Sequence, residues 1–527
     1  MAETIVTDVL VIGGGGAAAR AGLEASSLGV HVTLVDKGKL GNSGSSPLCL
    51  TGICAPITLE DSPDSFYDDW VRVGCGISDQ NLIWESVNGA AANIIQLMES
   101  GLDFAKVQGG KYHLYRGAGH SRPRNLTIQY KVRGSNLMTV LGKRMKQRGA
   151  RILEGILITK LLRVNGAVRG AVGISSRGDL HIFRAKAVVL ACGGANRIFP
   201  CIPARIRNEE YRTTGDAFSL AFYAGAPIID LEFSNFRESP PGASRTGGKY
   251  FNEKGERFME RYDPVALEKA PRQLTVAALY TELEEGRGPI YWHVDEELLE
   301  RDPVMSLRFG KRKKIKVGID FQRLLGGVRI NEKAETDVPH LYAAGESAGG
   351  LHGADRMQGN GFLDTQIFGA RAGYNAAKLA LRTDDAAIDM GQVEEETARI
   401  KGIKGGIKPS QVTKEIQKTM WEGAGIIRSA DSLSRAMAKI SELRRENIPK
   451  LSGKNLFSAV ECVNMLLTAE MIVRAALERE ESRGSHRRSD FPGQNDADWQ
   501  KHIAIQNGNG EMAVSVLPVQ TRITTSF

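Results

Sequence analysis

A run of four glycines at residues 13–16 constrains the fold of this chain more than any other feature. The apolar residues 5–12 (IVTDVLVI) precede the run and predict a buried strand, and residues 17–28 (AAARAGLEASSL) follow it and predict a helix. A second apolar segment, residues 31–36 (HVTLVD), predicts another strand. A strand, a glycine turn, a helix and a second strand in this order are typical of the βαβ unit that binds a dinucleotide.

The residue types of the turn match what dinucleotide binding requires. Gly13 allows the tight turn, Gly15 and the adjacent Gly16 let the backbone approach a pyrophosphate, and Ala18 is the small third residue of the fingerprint. The N-terminus of the following helix offers free N–H groups and the positive end of its dipole to that phosphate. Asp36, at the end of the second strand, is predicted to bond a ribose hydroxyl.

The composition excludes several other classes of protein. The chain has 527 residues with 59 glycines and 42% hydrophobic residues, which excludes collagen, intrinsic disorder and a disulfide-stapled scaffold. Its net charge of +8 (69 Lys and Arg against 61 Asp and Glu) suits an acidic substrate or protein partner and does not indicate nucleic acid. We interpret the basic cluster at residues 311–316 as a solvated loop.

The spacing of cysteines and histidines predicts no metal site. The six cysteines form no CxxC pair, and the nine histidines form no HxxxH or HExxH pair. We interpret the cysteines as reduced, mostly buried thiols, which agrees with a cytoplasmic protein. No apolar run approaches the ~18 residues of a membrane span, so we expect no direct membrane insertion. A peripheral position at a membrane, through partner subunits, stays open.

Further segments distinguish FAD from a nicotinamide cofactor. Residues 186–199 predict a buried strand that ends in two glycines, and residues 213–226 open a helix with Thr-Gly-Asp. Residues 340–350 predict a strand that ends at Gly-Glu, and residues 362–382 predict a helix whose N-terminus faces the pyrimidine end of a flavin. The NGNG at 507–510 is interpreted as having no strand before it and no helix after it, so no second fingerprint for NAD(P)H is present.

Short segments spread over the whole chain match the motifs of one flavoprotein family. They are VIGGGGAAARA, ACGGANRIF, TTGDAFSLAFYAGAP, GERFMERYDP, LYAAGESAGGLHGADR, GNGFLD, MWEGAGIIR and ESRGSHRRSDFP. Through them the chain resembles the flavoprotein subunit of the succinate dehydrogenase/fumarate reductase family, which also includes L-aspartate oxidase.

The resemblance implies an α/β fold: a Rossmann-like FAD-binding domain with an inserted α+β capping domain, followed by a C-terminal helical domain. We expect the FAD-binding domain at residues 1–232 and 328–385 and the capping domain at residues 233–327. The helical domain is expected at 386–490, and a tail at 491–527 that wraps across the body or a neighbouring subunit.

The resemblance also extends the set of residues expected to contact FAD beyond the glycine turn and Asp36. The added residues are Lys37, Asn42, Ser43, Gly44, Gly52, Ala191, Gly193, Thr214, Asp216, Gly345, Glu346, Gly361, Phe362 and Leu363. Membrane-bound members of the family attach FAD to a histidine after the second strand. Here no histidine occurs from 32 to 112 and a glycine stands near the expected position, so we expect noncovalent FAD.

The substrate site departs from the family pattern. Chemistry on a dicarboxylate needs cations that hold both carboxylates and a proton donor opposite flavin N5. The family supplies two histidines, a proton-transferring arginine in the cap and the arginine of His-Gly-Ala-Asn-Arg. By alignment the first histidine falls on Arg237, the second on Gln322, and the proton-transferring arginine on Ala277 or Ala278.

One motif of the substrate site is kept in the form HGADR, with His352, Asp355 and Arg356. Arg237 and Arg356 are therefore predicted to hold an anionic substrate, and Arg272, six residues before Ala278, is predicted to reach into the site. For His352, a structural hydrogen bond near the flavin and a catalytic role both stay open. The alternatives for the proton donor are Tyr250, Arg245 and Glu238.

Three functions are compatible with this set of residues. The leading hypothesis is a flavin oxidoreductase that moves a hydride between FAD N5 and a C–C or C=C bond of a carboxylate- or thioester-bearing substrate. It would exchange electrons with an iron–sulfur partner, since the chain itself carries no cluster motif. The alternatives are an oxidase like L-aspartate oxidase, in which O2 reoxidises the flavin, and a non-catalytic electron-transfer or structural subunit. Resemblance to adenylylsulfate reductase is disfavoured by the ESRGSH tail.

Overall fold

The structure is a computed structural model. It describes residues 3–42, 44–47, 49, 52–107, 109–128, 133–200, 213–240, 248–294, 310, 314–385, 387–508 and 510–522. Two predicted site residues, Ser43 and Arg245, lie outside the described residues.

Strands and helices alternate through the first half of the described chain, and helices predominate later. The strands are β1 (Glu3–Ile12), β2 (Val32–Asp36), β3 (Ile53–Cys54), β4 (Leu114–Tyr115), β5 (Asn125–Leu126), β6 (Arg151–Glu154), β7 (Ile156–Val164), β8 (Ala167–Ser175), β9 (Leu180–Leu190), β10 (Ile228–Ile229), β11 (Ser234–Ser239), β12 (Lys249–Phe251), β13 (Ile290–His293), β14 (Lys314–Leu324), β15 (Gly327–Val328), β16 (Leu341–Ala343), β17 (Lys501–Gly508) and β18 (Glu511–Pro518). The helices are α1 (Gly16–Ser27), α2 (Pro63–Val73), α3 (Gln80–Glu99), α4 (Arg133–Gln147), α5 (Asp216–Ala224), α6 (Met259–Tyr262), α7 (Arg272–Glu284), α8 (Asn360–Ala380), α9 (Met390–Lys401), α10 (Pro409–Ala424), α11 (Ala430–Glu446), α12 (Leu456–Glu478) and α13 (Asp496–Trp499).

A largely parallel sheet forms the centre of the FAD-binding part. Its strand order is β6-β2-β1-β9-β8-β7, with β16 also paired to β9. β6, β2, β1, β9 and β16 are parallel neighbours, whereas β8 and β7 continue the sheet antiparallel. All five residues of β2 are buried, as expected for a strand covered on both faces. The predicted α/β class and the first βαβ unit are confirmed.

A second sheet, called here the cap sheet (β11–β14 within residues 234–324), has the antiparallel order β11-β14-β13-β12. The register shifts between Asn235, which pairs with Arg323, and Phe236, which pairs with Phe321. Gln322 is therefore an extra residue in β14, and the strand has a β-bulge at this point. β14 begins at Lys314, so the end of the basic cluster predicted to be a loop is instead strand, with its lysines exposed.

The last part of the chain returns to the FAD-binding part. β17 pairs with β10 and with β18 in a sheet of order β15-β10-β17-β18. The NGNG at 507–510 joins β17 to β18, so the interpretation that no strand precedes it was wrong. The register of the two strands pairs Gly508 with Glu511, which places this segment at the turn of a β-hairpin.

Helices α10, α11 and α12 pack against one another beside the central sheet. Among the described residues, the segment Gly453–Glu478, which contains α12, is the one helix long and apolar enough to cross a membrane by length and composition. The rest of the chain buries 78% of its most apolar window, which is typical of a core helix. Its apolar periodicity is thus explained by packing.

Candidate flavin and substrate site

The glycine turn between β1 and α1 brings two chain segments into close contact. Gly13 has a φ of +129°, and a Cβ at this position would lie 2.1 Å from the carbonyl oxygen of Ala191, at the end of β9. Only glycine fits there. Gly15 precedes the first residue of α1, Gly16, and Ala18 is fully buried in the helix. The turn therefore has the shape that the dinucleotide fingerprint predicts.

Two later segments converge on the same turn. A Cβ at Gly345 would lie 2.8 Å from Cβ of Ala17, at the start of α1. A Cβ at Gly194 would lie 2.4 Å from Oε1 of Glu346. The neighbouring Gly193 packs against Thr213, whose hydroxyl accepts a hydrogen bond from Asn196 N at 3.0 Å. The predicted residues of three separate motifs thus form one cleft at the carboxyl ends of β1, β9 and β16.

The cleft contains buried polar atoms that have no hydrogen-bond partner within the described part of the chain. They are Oε1 of Glu346 and the amide oxygens of Asn196, Asn360 and Gln366. Buried polar groups in proteins are nearly always hydrogen-bonded, so such a group of acceptors indicates a bound molecule with several donors. Burial also raises the pKa of Glu346. An open glycine cradle beside these acceptors fits a flavin dinucleotide.

Three of the predicted FAD contacts bind one another in this structure. Lys37 Nζ donates to Thr214 Oγ1 at 2.8 Å, to Asp216 Oδ2 at 2.7 Å and to Glu461 Oε1 at 2.7 Å. Asn464 donates to the other oxygen of Asp216 at 2.8 Å. The pKa of Lys37 is raised, because the two carboxylates outweigh its burial. The sequence did not indicate Glu461 and Asn464, since the pairing depends on where α12 packs.

The other predicted contacts occupy less enclosed positions or contact backbone. Asn42 is exposed, and a Cβ at Gly44 would meet no atom within 4 Å. A Cβ at Gly52 would lie 1.6 Å from the carbonyl oxygen of Leu126, so this glycine is needed for the packing of β5. Phe362 and Leu363 are buried in the first turn of α8.

Two guanidinium groups meet at the N-terminus of α8. A Cβ at Gly361 would lie 2.5 Å from Nη1 of Arg323 and 3.4 Å from Nη1 of Arg356. Both arginines are 7% exposed. Burial and the nearby charges of Arg323 and Arg272 lower the pKa of Arg356 to about 9, which still leaves it protonated at neutral pH. An anion bound here would relieve the repulsion among these cations.

Arg323 was not among the predicted site residues. The β-bulge explains the omission, because in a regular strand neighbouring side chains point to opposite faces and only one of Gln322 and Arg323 would reach the site. The bulge brings both residues opposite Asn235. The sequence signal that was available is the position of Arg323, directly after the residue aligned with the second family histidine.

Arg272, the first residue of α7, reaches the same place from the cap. Its Nη1 lies 3.4 Å from Oδ1 of Asn235 and 3.5 Å from Oε1 of Gln322. Ala277 and Ala278, on which the alignment placed the proton-transferring arginine, are buried in the apolar core. The structure thus brings Arg272, Arg323 and Arg356 together and leaves the two alanines as packing residues.

His352 is enclosed beside these arginines. Its ring stacks on that of Trp70 with 6.0 Å between centroids, and its Nε2 lies 3.4 Å from Oδ2 of Asp364. Burial and the charge of Arg323 lower its pKa to about 4 despite the carboxylate. His352 is therefore a neutral imidazole at physiological pH, and it does not carry a charge for the substrate.

The remaining candidates lie elsewhere in the cap. Arg237 Nη2 donates to Asp320 Oδ2 at 3.2 Å, so its charge is already paired. Tyr250 is fully buried, with its backbone N–H donated to Glu268, and burial together with the charges of Glu238 and Glu268 raises its pKa. Tyr250 and Glu238 thus lie near each other in the cap core.

Comparison with known proteins agrees with this architecture. A family model described as an FAD binding domain matches residues 8–362, and one described as the C-terminal part of fumarate reductase flavoproteins matches residues 413–526. A flavoprotein relative from Methanothermobacter marburgensis, named as one of the subunits of fumarate reductase (CoM/CoB), is 36% identical, covering 95% of this chain and 97% of its own.

More distant relatives cover the chain equally well. L-aspartate oxidase from Streptomyces coelicolor is 29% identical, covering 95% of this chain and 92% of its own. The solved structure of Mycobacterium smegmatis Sdh1 in complex with UQ1 superposes with a TM-score of 0.86 at 27% identity, covering 99% of this chain and 95% of that one.

The fold and the cleft define an FAD-dependent oxidoreductase. The chain belongs to the succinate dehydrogenase/fumarate reductase flavoprotein family. The predicted family and cofactor are thereby confirmed, and noncovalent FAD agrees with the absence of histidine from 32 to 112.

Proposed function

We propose that the chain is the flavoprotein subunit of an oxidoreductase that adds or removes hydrogen across a C–C bond of an anionic, carboxylate- or thioester-bearing substrate. FAD, when bound in the cleft, supplies the hydride chemistry at N5. The observation that supports this function is the convergence of three guanidinium groups, from Arg272, Arg323 and Arg356, beside the flavin cleft.

The arginines supply electrostatic stabilisation where substrate charge develops. Arg323 and Arg356 point together past Gly361, where no side chain separates them, so a carboxylate can accept hydrogen bonds from both. As negative charge grows on the substrate during reduction, donors already fixed in a buried site stabilise it without reorganisation. Arg237, which is paired with Asp320, is proposed to stand at the outer edge of this site.

We assign proton transfer to Arg272. It is the one guanidinium of the three that comes from the cap, and it hydrogen-bonds to the side-chain oxygens of Asn235 and Gln322. Those two amides cannot accept a proton themselves at neutral pH, so the contacts orient the guanidinium without neutralising it. His352, with a pKa lowered to about 4, has no proton to give at neutral pH.

Electrons are proposed to enter or leave through an iron–sulfur partner subunit. The chain has no CxxC spacing for a cluster, and several relatives are named as subunits. We further propose that the FAD-binding part, the cap, the helical part and the tail follow the domain boundaries given above. A cytoplasmic location, at most peripheral to a membrane through partners, completes the proposal.

The test uses the FAD-loaded protein without oxygen, with reduced methyl viologen as donor. Fumarate, other α,β-unsaturated carboxylates and their thioesters serve as acceptors. We expect oxidation of the dye with at least one acceptor, and its loss in Arg356→Ala. Peroxide formation from L-aspartate in air, without dye oxidation, would support the oxidase alternative and overturn the proposal. Absence of both activities in a preparation that contains a cysteine-rich partner would favour a non-catalytic subunit.

A further inference from the structure

One carboxylate oxygen joins three separate segments at the edge of the substrate site. Oδ1 of Asp355 accepts hydrogen bonds from Asn235 Nδ2 at 2.9 Å, Gln273 Nε2 at 3.2 Å and the backbone N of Arg356 at 2.7 Å. Asn235 belongs to the cap sheet and Gln273 to helix α7. Asp355 itself lies in the segment 351–359, called here the arginine loop, which precedes α8.

The same contacts determine where Arg272 points. The Asn235 amide that donates to Asp355 accepts from Arg272 with its other end, at 3.4 Å. Gln273, the second donor, is the next residue in the first turn of α7. Both neighbours of Arg272 are thus fixed by one atom of the FAD-binding part.

The negative charge at this position also separates two cations. Arg272 and Arg356 both lie close enough to Asp355 to oppose the rise in its pKa that burial causes. The family motif has Asn at this place, whereas this chain has Asp. The carboxylate therefore adds a charge between two guanidinium groups that would otherwise repel each other.

The arginine loop is rigid enough to act as the fixed side of such a connection. Ala354 donates its N–H to the carbonyl of Gly74 at 3.0 Å and accepts from Ser485 N at 2.9 Å. Gln358 exchanges hydrogen bonds with Ala118 at 3.1 Å in both directions. Trp70 donates to the carbonyl of Leu351 at 3.0 Å. The loop is held on both sides of Asp355.

We propose that Asp355 is a positioning residue that fastens the cap sheet and helix α7 to the arginine loop and thereby holds Arg272 against the substrate. The other carboxylates near the site have different partners, since Asp320 binds Arg237 and Asp364 lies beside Arg323 and His352. The role of Arg272 in this statement rests on the proposed function. The fastening itself does not.

The test compares Asp355→Ala and Asp355→Asn in the FAD-loaded protein by hydrogen exchange of the α7 amides. We expect at least 10-fold faster exchange in Asp355→Ala, because two cap contacts are lost. Asp355→Asn should stay within 3-fold of the wild type, because an amide oxygen accepts the same N–H groups. Unchanged exchange in Asp355→Ala, or equal acceleration in both variants, would overturn the proposal.

Activity supplies a second readout that separates positioning from folding. With a substrate found by the dye assay, kcat of Asp355→Ala should fall at least 10-fold while FAD content and the affinity for a substrate analogue change less than 3-fold. Failure to find any substrate would count against the proposed function and leave the exchange result to decide this one.

A variant on the cap side keeps the test valid if Asp355→Ala does not fold. Gln273→Ala removes one of the two cap contacts and should accelerate exchange by itself, but should add little in the Asp355→Ala background. Fully additive effects would contradict a shared contact. Glu284→Ala, at the exposed far end of α7, is the matched control and should leave exchange unchanged.

Discussion

The ammonium of Lys37 and the carboxylate of Glu461 lie 2.7 Å apart although 424 residues separate them in the chain. Lys37 directly follows β2 of the central sheet, and Glu461 lies in α12. Their side chains are 13% and 9% exposed, so the pair is largely shielded from water. This contact joins the first βαβ unit to the helical part of the chain.

Substitution of Glu461 should therefore destabilise the protein strongly. Removing one partner of a buried ion pair costs about 3–5 kcal/mol, because the remaining charge stays buried. We expect Glu461→Gln to lower the free energy of unfolding by about 3 kcal/mol in urea unfolding. Glu395→Gln is the control, since Glu395 pairs with Lys160 at the surface with 72% of its side chain exposed, and should cost below about 1 kcal/mol.

Substitution of Gly13 should abolish FAD binding. A Cβ there would lie 2.1 Å from the Ala191 carbonyl at a φ of +129°, so Gly13→Ala must displace the turn that forms the cleft. We expect purified Gly13→Ala to contain less than about a tenth of the wild-type flavin, measured by absorbance. Gly29→Ala, at a φ of +77° with no atom within 4 Å, should lose about 1 kcal/mol of stability and retain its flavin. Equal flavin in both variants would be incompatible with this cradle.

Removal of the Arg356 guanidinium should reduce activity by about 10²–10³-fold, the usual effect of deleting one donor that stabilises developing charge. Arg356→Lys should recover only part of the loss, because an ammonium cannot reproduce the paired geometry with Arg323. Steady-state rates with the best acceptor measure both effects. Arg329→Ala, which breaks a surface pair with Asp337, should have normal rates.

His352 should make the protein less stable in acid. Its pKa is lowered to about 4 in the folded protein, against about 6.5 in an unfolded chain. Between these values the unfolded chain binds the additional proton, so the free energy of unfolding falls as pH drops from 6.5 to 4. The full loss is about 3 kcal/mol. His352→Gln should flatten this slope, which urea unfolding at pH 4.5 and pH 7.5 will measure; an unchanged slope would contradict a buried neutral imidazole.

The parts of the fold predicted correctly from sequence depend on local patterns. The glycine turn, β1, β2 and α1 follow from residue type and periodicity within residues 5–36, and the FAD assignment follows from them and from later motifs. The hairpin around residues 507–510 was missed, because its alternation is weak and β18 is mostly exposed.

The missed site residues depend on contacts between distant segments. Arg323 reaches the site because β11 and β14 pair with a one-residue shift, and no local pattern indicates where a bulge will fall. Glu461 meets Lys37 because α12 packs beside the flavin cleft. Arg272 was recognised as a candidate although the alignment placed the family arginine on Ala277 or Ala278, since a charged residue at a helix start was the nearest alternative.

The pairing of β17 with β10 has a consequence for how the protein is made. His502 bonds Asp230, which leaves the ribosome 272 residues earlier. At 5–20 residues per second, the earlier strand waits about 15–55 s for its neighbour. During that interval the nascent FAD-binding part lacks one strand of a sheet, and its exposed edge is open to pairing with other chains. Release of the completed chain, rather than emergence of the glycine turn, sets the earliest time at which this flavoprotein can finish folding.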